Sequence, residues 1–205
     1  MSSHAQTISE LDNQSSFTFD KLSEEAKATA LEKHRDWNVD CFEWWDGVYE
    51  QWQERLEELG YNNVEIQFSG FWCQGDGASF TADIDLVKWL LKHDLAGIIA
   101  RARFSQDFEV LTDNIWVSLQ RTNSYYTHEN TVGSSWEINV AFNNSTLEKE
   151  VEDILDNHIL DVSRGYMQDI YKDLEAEYYY LTSDEIIAES LMANELQFDE
   201  DGNSL

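Results

Sequence analysis

Between residues 45 and 59 the apolar side chains Trp45, Val48, Tyr49, Trp52, Leu56 and Leu59 recur at spacings of three or four. That period draws one apolar stripe along a helix, and Gly60 closes it. The opposite face carries Asp46, Glu50, Glu54, Glu57 and Glu58. The period then shifts to two. Val64, Ile66 and Phe68 alternate with polar residues, and residues 78–85 alternate again around Phe80 and Ile84. The two runs flank Gly75-Asp76-Gly77, which predicts a hairpin. Residues 86–104 predict helix with a break near Asp94 or Gly97. Residues 115–119 and 136–142 predict two further strands, with Tyr125, Tyr126 and His128 in the polar stretch between them.

The flanks are simpler. Residues 1–16 read as a loose tail and Phe17-Thr18-Phe19 as a short strand. Ser23 is placed to cap a helix whose first turn holds Glu24 and Glu25, on the side the helix dipole favours. From Thr146 the pattern is helical. Leu147, Val151, Ile154 and Leu155 share one face, and Met167, Ile170, Tyr171, Leu174, Tyr178 and Leu181 share another. Three successive tyrosines, 178–180, cannot share one helical face, so at least one ring is expected in solvent. Thr182 and Glu185 have capping-box spacing ahead of Ile186, Ile187 and Leu191, and residues 199–205 read as a frayed acidic tail. The expected fold is α+β: an antiparallel sheet of about four strands packed by helices from both ends of the chain, one domain over 17–198.

Charge changes the picture more than composition does. The 205 residues hold 13 Lys and Arg against 41 Asp and Glu, a formal net charge of -28, and half of that lies in residues 146–205. Direct binding of nucleic acid is excluded, because it needs cations to displace counterions. Anionic membrane surfaces are disfavoured likewise. No apolar run is long enough to span a bilayer, and MSSHAQTISELDNQSS lacks the features of a secretory signal. Cys41 and Cys73, without zinc or thioredoxin spacing, fit a reducing cytoplasm. B-DNA carries one charge per about 1.7 Å, so 28 charges match roughly 48 Å of duplex. A folded chain of this length has a radius of gyration of about 17 Å, so its diameter is of the same order. The acids at Asp46, Glu50, Glu54 and at Asp169, Asp173, Glu177 fall at helical spacing with few Lys partners. They form a candidate face for a basic, nucleic-acid-binding protein, although solvated helix faces account for the same acids.

The segment 68–80, Phe-Ser-Gly-Phe-Trp-Cys-Gln-Gly-Asp-Gly-Ala-Ser-Phe, is the other distinctive feature. Gly75 and Gly77 leave backbone N–H groups open, Phe71 and Trp72 offer stacking surfaces, and Gln74, Asp76 and Ser79 offer hydrogen bonds. Such a set suits a nucleotide or small molecule, but neither a P-loop Lys nor a third Gly is present, and a plain hairpin turn explains the glycines equally. Together with LSEEAKATALEKHRDWNVD and EAEYYYLTSDEIIAESLMANELQFDEDG, this block resembles a family of acidic bacteriophage and prophage proteins without an established activity, over most of residues 17–202. The resemblance implies a phage accessory product working in the bacterial cytoplasm, where such proteins often blunt host defences.

Catalytic and metal motifs are incomplete. Cys73 beside Gln74, with His128 or His93 as base, has no supporting spacing, and Ser79 lacks the Gly-x-Ser-x-Gly elbow. His34 with Asp36, or Asp83 with Asp85 on one face of a strand, fits no metal motif. His4, His93 and His158 have no partner legible in sequence. The expectation is a non-enzymatic protein without cofactor or metal, acting on a protein partner.

Overall fold

Local signals set the first elements. Ser23 accepts a hydrogen bond from Ala26 N–H at 3.2 Å and starts the first helix where its spacing predicts. In the computed structural model, residues 16–40, 43–123 and 125–205 are described, so His4, Cys41 and the loose tail up to residue 15 lie outside them. In chain order the elements are β1 (Phe17–Thr18), α1 (Glu24–Lys33), α2 (Asp46–Glu58), β2 (Tyr61–Phe68) and β3 (Ala78–Ile84). Next come α3 (Leu86–Lys92), α4 (Ala96–Phe104), α5 (Phe108–Asp113), β4 (Ile115–Arg121) and β5 (Val132–Ile138). The chain ends with α6 (Ser145–Asp153), a π-helical turn (Ile154–His158), α7 (Ile159–Leu181), α8 (Asp184–Ala193) and β6 (Gln197–Phe198). The fold is α+β, with an antiparallel four-stranded sheet ordered β2-β3-β4-β5.

The residues group into two compact units, one built from both chain ends up to Trp44 and from Ala176, the other from Trp45–Glu175. In the first, Phe17 pairs with Phe198 across β1 and β6, and Phe19, Leu22, Ala26, Ala30, Ile187, Leu191 and Phe198 form the core. Phe19 leaves the short strand for a 3-10 turn. The last helix is capped by Ser183, whose Oγ accepts from Ile186 N–H. Thr182, the expected cap, instead donates its hydroxyl to Tyr178 O at 2.8 Å. Residues 199–205 are ordered: Asp199 accepts from the backbone N–H groups of Asp201 and Asn203, and Ser204 bridges to Phe198. Tyr179 and Tyr180 are exposed.

In the second unit, Val64, Ile66, Phe80, Ala82, Ile84, Val117 and Leu119 bury one face of the sheet. β2 begins three residues before its alternating run. Asn63 has φ +53 and the register slips between Asn62 and Glu65, so Tyr61 and Val64 are both buried at an odd spacing. The strand expected at 136–142 lies at Val132–Ile138, because its Gly and Ser positions carry no apolar signal. Beyond it the Asp107 carboxylate accepts the N–H groups of Asn143 and Asn144 at 2.6 and 3.1 Å and draws the chain off the ladder. Burial would raise the Asp107 carboxyl, but the Ser105 hydroxyl and these N–H groups outweigh it and hold it below its ordinary value. The predicted break in 86–104 sits at Asp94, with φ +59. Asp85 is not on a strand: it caps α3, accepting from Lys88 N–H at 3.0 Å, so it does not share a strand face with Asp83.

Candidate functional site

On α2, Trp52 and Leu56 turn inward, 3% and 0% exposed. The Trp52 indole Nε1 donates to Asp173 Oδ2 of α7 at 2.8 Å. Arg55, the one base of the helix, lies over the Trp52 ring with its guanidinium carbon 4.5 Å from the centroid. Glu50 and Glu54 stand two residues either side of Trp52, about 200° around the helix, and point away from that contact. They are exposed, as are Asp46, Glu57 and Glu58. Among the described residues none of the five enters an ion pair. The neighbouring Tyr49 hydroxyl is pushed up to about 12 by burial, and the charge of Asp46 adds to it.

The second acidic trio is differently placed. Asp169 accepts from Lys172 Nζ at 2.9 Å, Asp173 receives the Trp52 indole, and Glu177 falls in the unit built from the chain ends. The α2 row is therefore assembled and uncommitted, while Asp169 and Asp173 already have partners within their own unit.

The glycine-rich segment forms a loop over residues 69–77, longer than the tight Asp-Gly turn its sequence suggests. Its glycines serve packing. A Cβ on Gly75 would run into the Tyr126 ring, and one on Gly77 would come within 2.7 Å of Thr127 O and His128 Cβ. Thr127 N–H donates to Gly75 O at 3.1 Å, so the loop is closed against residues 126–128 at the same end of the sheet. Arg121 stitches the pair together, donating to Gln67 Oε1 and to Tyr126 O. Of the five ligand candidates, Phe71 packs among Phe68, Trp72 and Tyr171, Asp76 accepts from Cys73 N–H at 2.9 Å, and Ser79 is 1% exposed in β3. Trp72 (φ +66) and Gln74 are exposed. The arrangement does not turn the five toward one ligand. Cys73 is exposed, and His128 Nδ1 accepts from Asn130 N–H, capping a turn. On the polar sheet face a shallow depression of about 400 Å³ includes Glu65, Thr81, Asp83 and Ser118. Its polar groups are largely paired among themselves, Asn63 with Asp83 and Gln120 with Ser118.

A buried polar network escapes sequence reading. Trp89 Nε1 donates to Tyr61 Oη, and Tyr61 Oη lies 2.9 Å from Ser163 Oγ, which itself donates to Ile159 O at 2.6 Å. With the serine proton spent on Ile159, the tyrosine is the donor to Ser163. Burial pushes the Tyr61 hydroxyl up to about 12, against the lowering effect of its hydrogen bonds. His93 stacks on Trp89 at 4.1 Å, its Nδ1 2.7 Å from Trp89 O and its Nε2 3.0 Å from the Tyr166 hydroxyl. A neutral ring with the proton on Nδ1 satisfies both contacts, and burial lowers the His93 pKa accordingly. Tyr61, Trp89 and Ser163 are 0% exposed, so the network joins β2, α3 and α7 and offers nothing to a substrate. The spacing Trp89–His93, one helical turn, was the only local sign of it.

Among the described residues no group of three or more His, Cys, Asp or Glu is placed to hold a metal ion, and no helix is long and apolar enough to cross a membrane. No curated protein and no solved structure matches the chain. A family model described as Domain of unknown function (DUF8835) matches residues 44–184, more than half of the chain and the whole of the sheet-bearing unit. On the strength of that match, the chain belongs to the DUF8835 family.

Proposed function

We propose that this is a non-enzymatic inhibitor that presents the acidic face of α2 to a basic, nucleic-acid-binding protein and occupies its nucleic-acid site. The observation that supports the reading is the row Asp46, Glu50, Glu54, Glu57 and Glu58, exposed and without ion pairs among the described residues, beside an arginine committed to Trp52. Three like-charge pairs at i,i+4 weaken the helix by about 1 kcal/mol in total, which a surface kept only for solubility avoids by mixing signs. Five carboxylates over about 18 Å of helix stand on average about 4.5 Å apart along the axis, of the same order as the 3.4 Å per phosphate of one DNA strand. In the phage setting that the family resemblance implies, the partner is a host defence protein and the place of action the bacterial cytoplasm. The alternative, a nucleotide site on the loop 69–77, has less support, since Asp76 and Ser79 are turned to the protein itself.

The test is capture from bacterial lysate on the immobilised full chain, followed by identification of the bound protein and competition with a DNA duplex of about 14 base pairs. We expect a nucleic-acid-binding protein that the duplex displaces and that salt of about 0.5 M releases. The Asp46→Lys, Glu50→Lys, Glu54→Lys variant should lose at least about tenfold in affinity with an unchanged circular dichroism spectrum. Undiminished affinity in that variant, or no competition by the duplex, overturns the proposal.

A further inference from the structure

β5 is the last strand of the four-stranded sheet, and among the described residues it pairs with β4 alone. Its register with β4 is unbroken from Arg121↔Val132 to Ile115↔Ile138, so the strand is regular along its full length. Among the described residues, no hydrogen bond from outside the β4 ladder reaches the backbone of residues 133–138. Natural sheets guard such edges with Lys, Pro or a bulge, and Val-Gly-Ser-Ser-Trp-Glu-Ile has none of these. Alternate backbone N–H and C=O groups along the edge are therefore available to another strand.

We propose that the occupant is a second copy of the same strand, paired antiparallel about a two-fold axis at Ser135. The sequence of β5 is complementary to itself in that register. Ser135 meets its own copy, Ser134 meets Trp136, Gly133 meets Glu137, and Val132 meets Ile138. Directly opposed residues share a face, so Val132, Ser134, Trp136 and Ile138 remain on the side where Val117 pairs with Trp136, and Gly133, Ser135 and Glu137 on the other. The single charge of the strand, Glu137, falls opposite a glycine, so no like charges oppose each other. An axis one residue away, pairing Trp136 with itself, would set Glu137 opposite Ser135 and leave Val132 unopposed. The two-fold at Ser135 uses all seven residues. The product is one continuous eight-stranded sheet across two chains, closed by symmetry.

Two copies carrying -28 each repel at long range, so screening strengthens this dimer. Salt acts on the acidic face of α2 in the opposite sense, which keeps the two proposals separable. Sedimentation of the full chain at about 0.05 and 0.5 M salt should show twice the chain mass of 23.9 kDa, with more dimer at high salt. Ser135 is exposed, and Ser135→Glu places like charges opposite each other at the axis, so it should give monomer with an unchanged circular dichroism spectrum. With Cys41 and Cys73 replaced by Ser, Ser135→Cys should form an intermolecular disulfide on mild oxidation. Glu137→Cys should not, because its own copy lies about 14 Å away along the strands. A monomer at every salt, a dimer indifferent to Ser135→Glu, or equal cross-linking by the two cysteine variants overturns the proposal; the last two outcomes place the contact on another surface.

Discussion

The Tyr61 hydroxyl accepts from one buried group and donates to another, so its removal leaves the Trp89 N–H without its acceptor. Tyr61→Phe should lower stability in urea unfolding by about 1–3 kcal/mol. A cycle with Trp89→Phe should show coupling above about 0.5 kcal/mol. Additive losses would mean that the two side chains act through packing alone. The same residues set a pH profile. The Tyr61 pKa is raised to about 12, so the folded state holds its proton where the unfolded state has lost it. Stability from this source is full below about pH 10, the unfolded value, and falls as pH rises toward 12. His93 is lowered, so its contribution is present above about pH 6.5 and falls as pH drops below that. Unfolding followed between pH 5 and 12 should show both slopes, and Tyr61→Phe should flatten the alkaline one, leaving the part owed to Tyr49, Tyr166 and Tyr178, whose hydroxyls burial also raises. At this scale legibility follows sequence distance. The Ser23 cap, three residues from its donor, is evident in the sequence, whereas Tyr61 and Ser163 lie 102 residues apart and give no local sign of their bond.

Elements were legible where one period runs uninterrupted, as in α2, and misplaced where the backbone adds or hides a residue. The slip at Asn63 hid the first residues of β2, and the serines of β5 hid that strand. The two apolar faces read between 147 and 181 have a single cause. The π-helical turn Ile154–His158 closes with Ile159 N–H on Ile154 O, an i to i+5 bond, and shifts the phase between α6 and α7. Gly165, in the interior of α7, is exposed, and a Cβ there would have nothing within 4 Å. Gly165→Ala should therefore stabilise by about 0.5–1 kcal/mol, read as a higher denaturant midpoint. A lower midpoint would show that the bare backbone at that position is itself in use. For the candidate site, the α2 row was visible in the sequence because its members sit on one helix. The commitments of Asp169, Asp173, Asp76 and Ser79 depend on the fold and were not.

Over the whole molecule, 41 acids face 13 bases, and the ion pairs among the described residues largely join exposed side chains. Such pairs contribute little, so the charge acts mainly as self-repulsion. The melting temperature should rise by several degrees between about 0.02 and 0.5 M salt, and a fall would mean that ion pairs outweigh the repulsion.

The unit built from both chain ends has a consequence for synthesis. Phe19, Leu22, Ala26 and Ala30 leave the ribosome well before their partners Ile187, Leu191 and Phe198, which lie beyond Glu175. At roughly 5–20 residues per second, the intervening stretch takes on the order of ten seconds to translate. For that time the amino-terminal segment waits with its apolar side chains uncovered while the sheet-bearing unit forms behind it. A message truncated after residue 175 would encode every strand of the sheet and still leave that segment permanently open to chaperones and proteases.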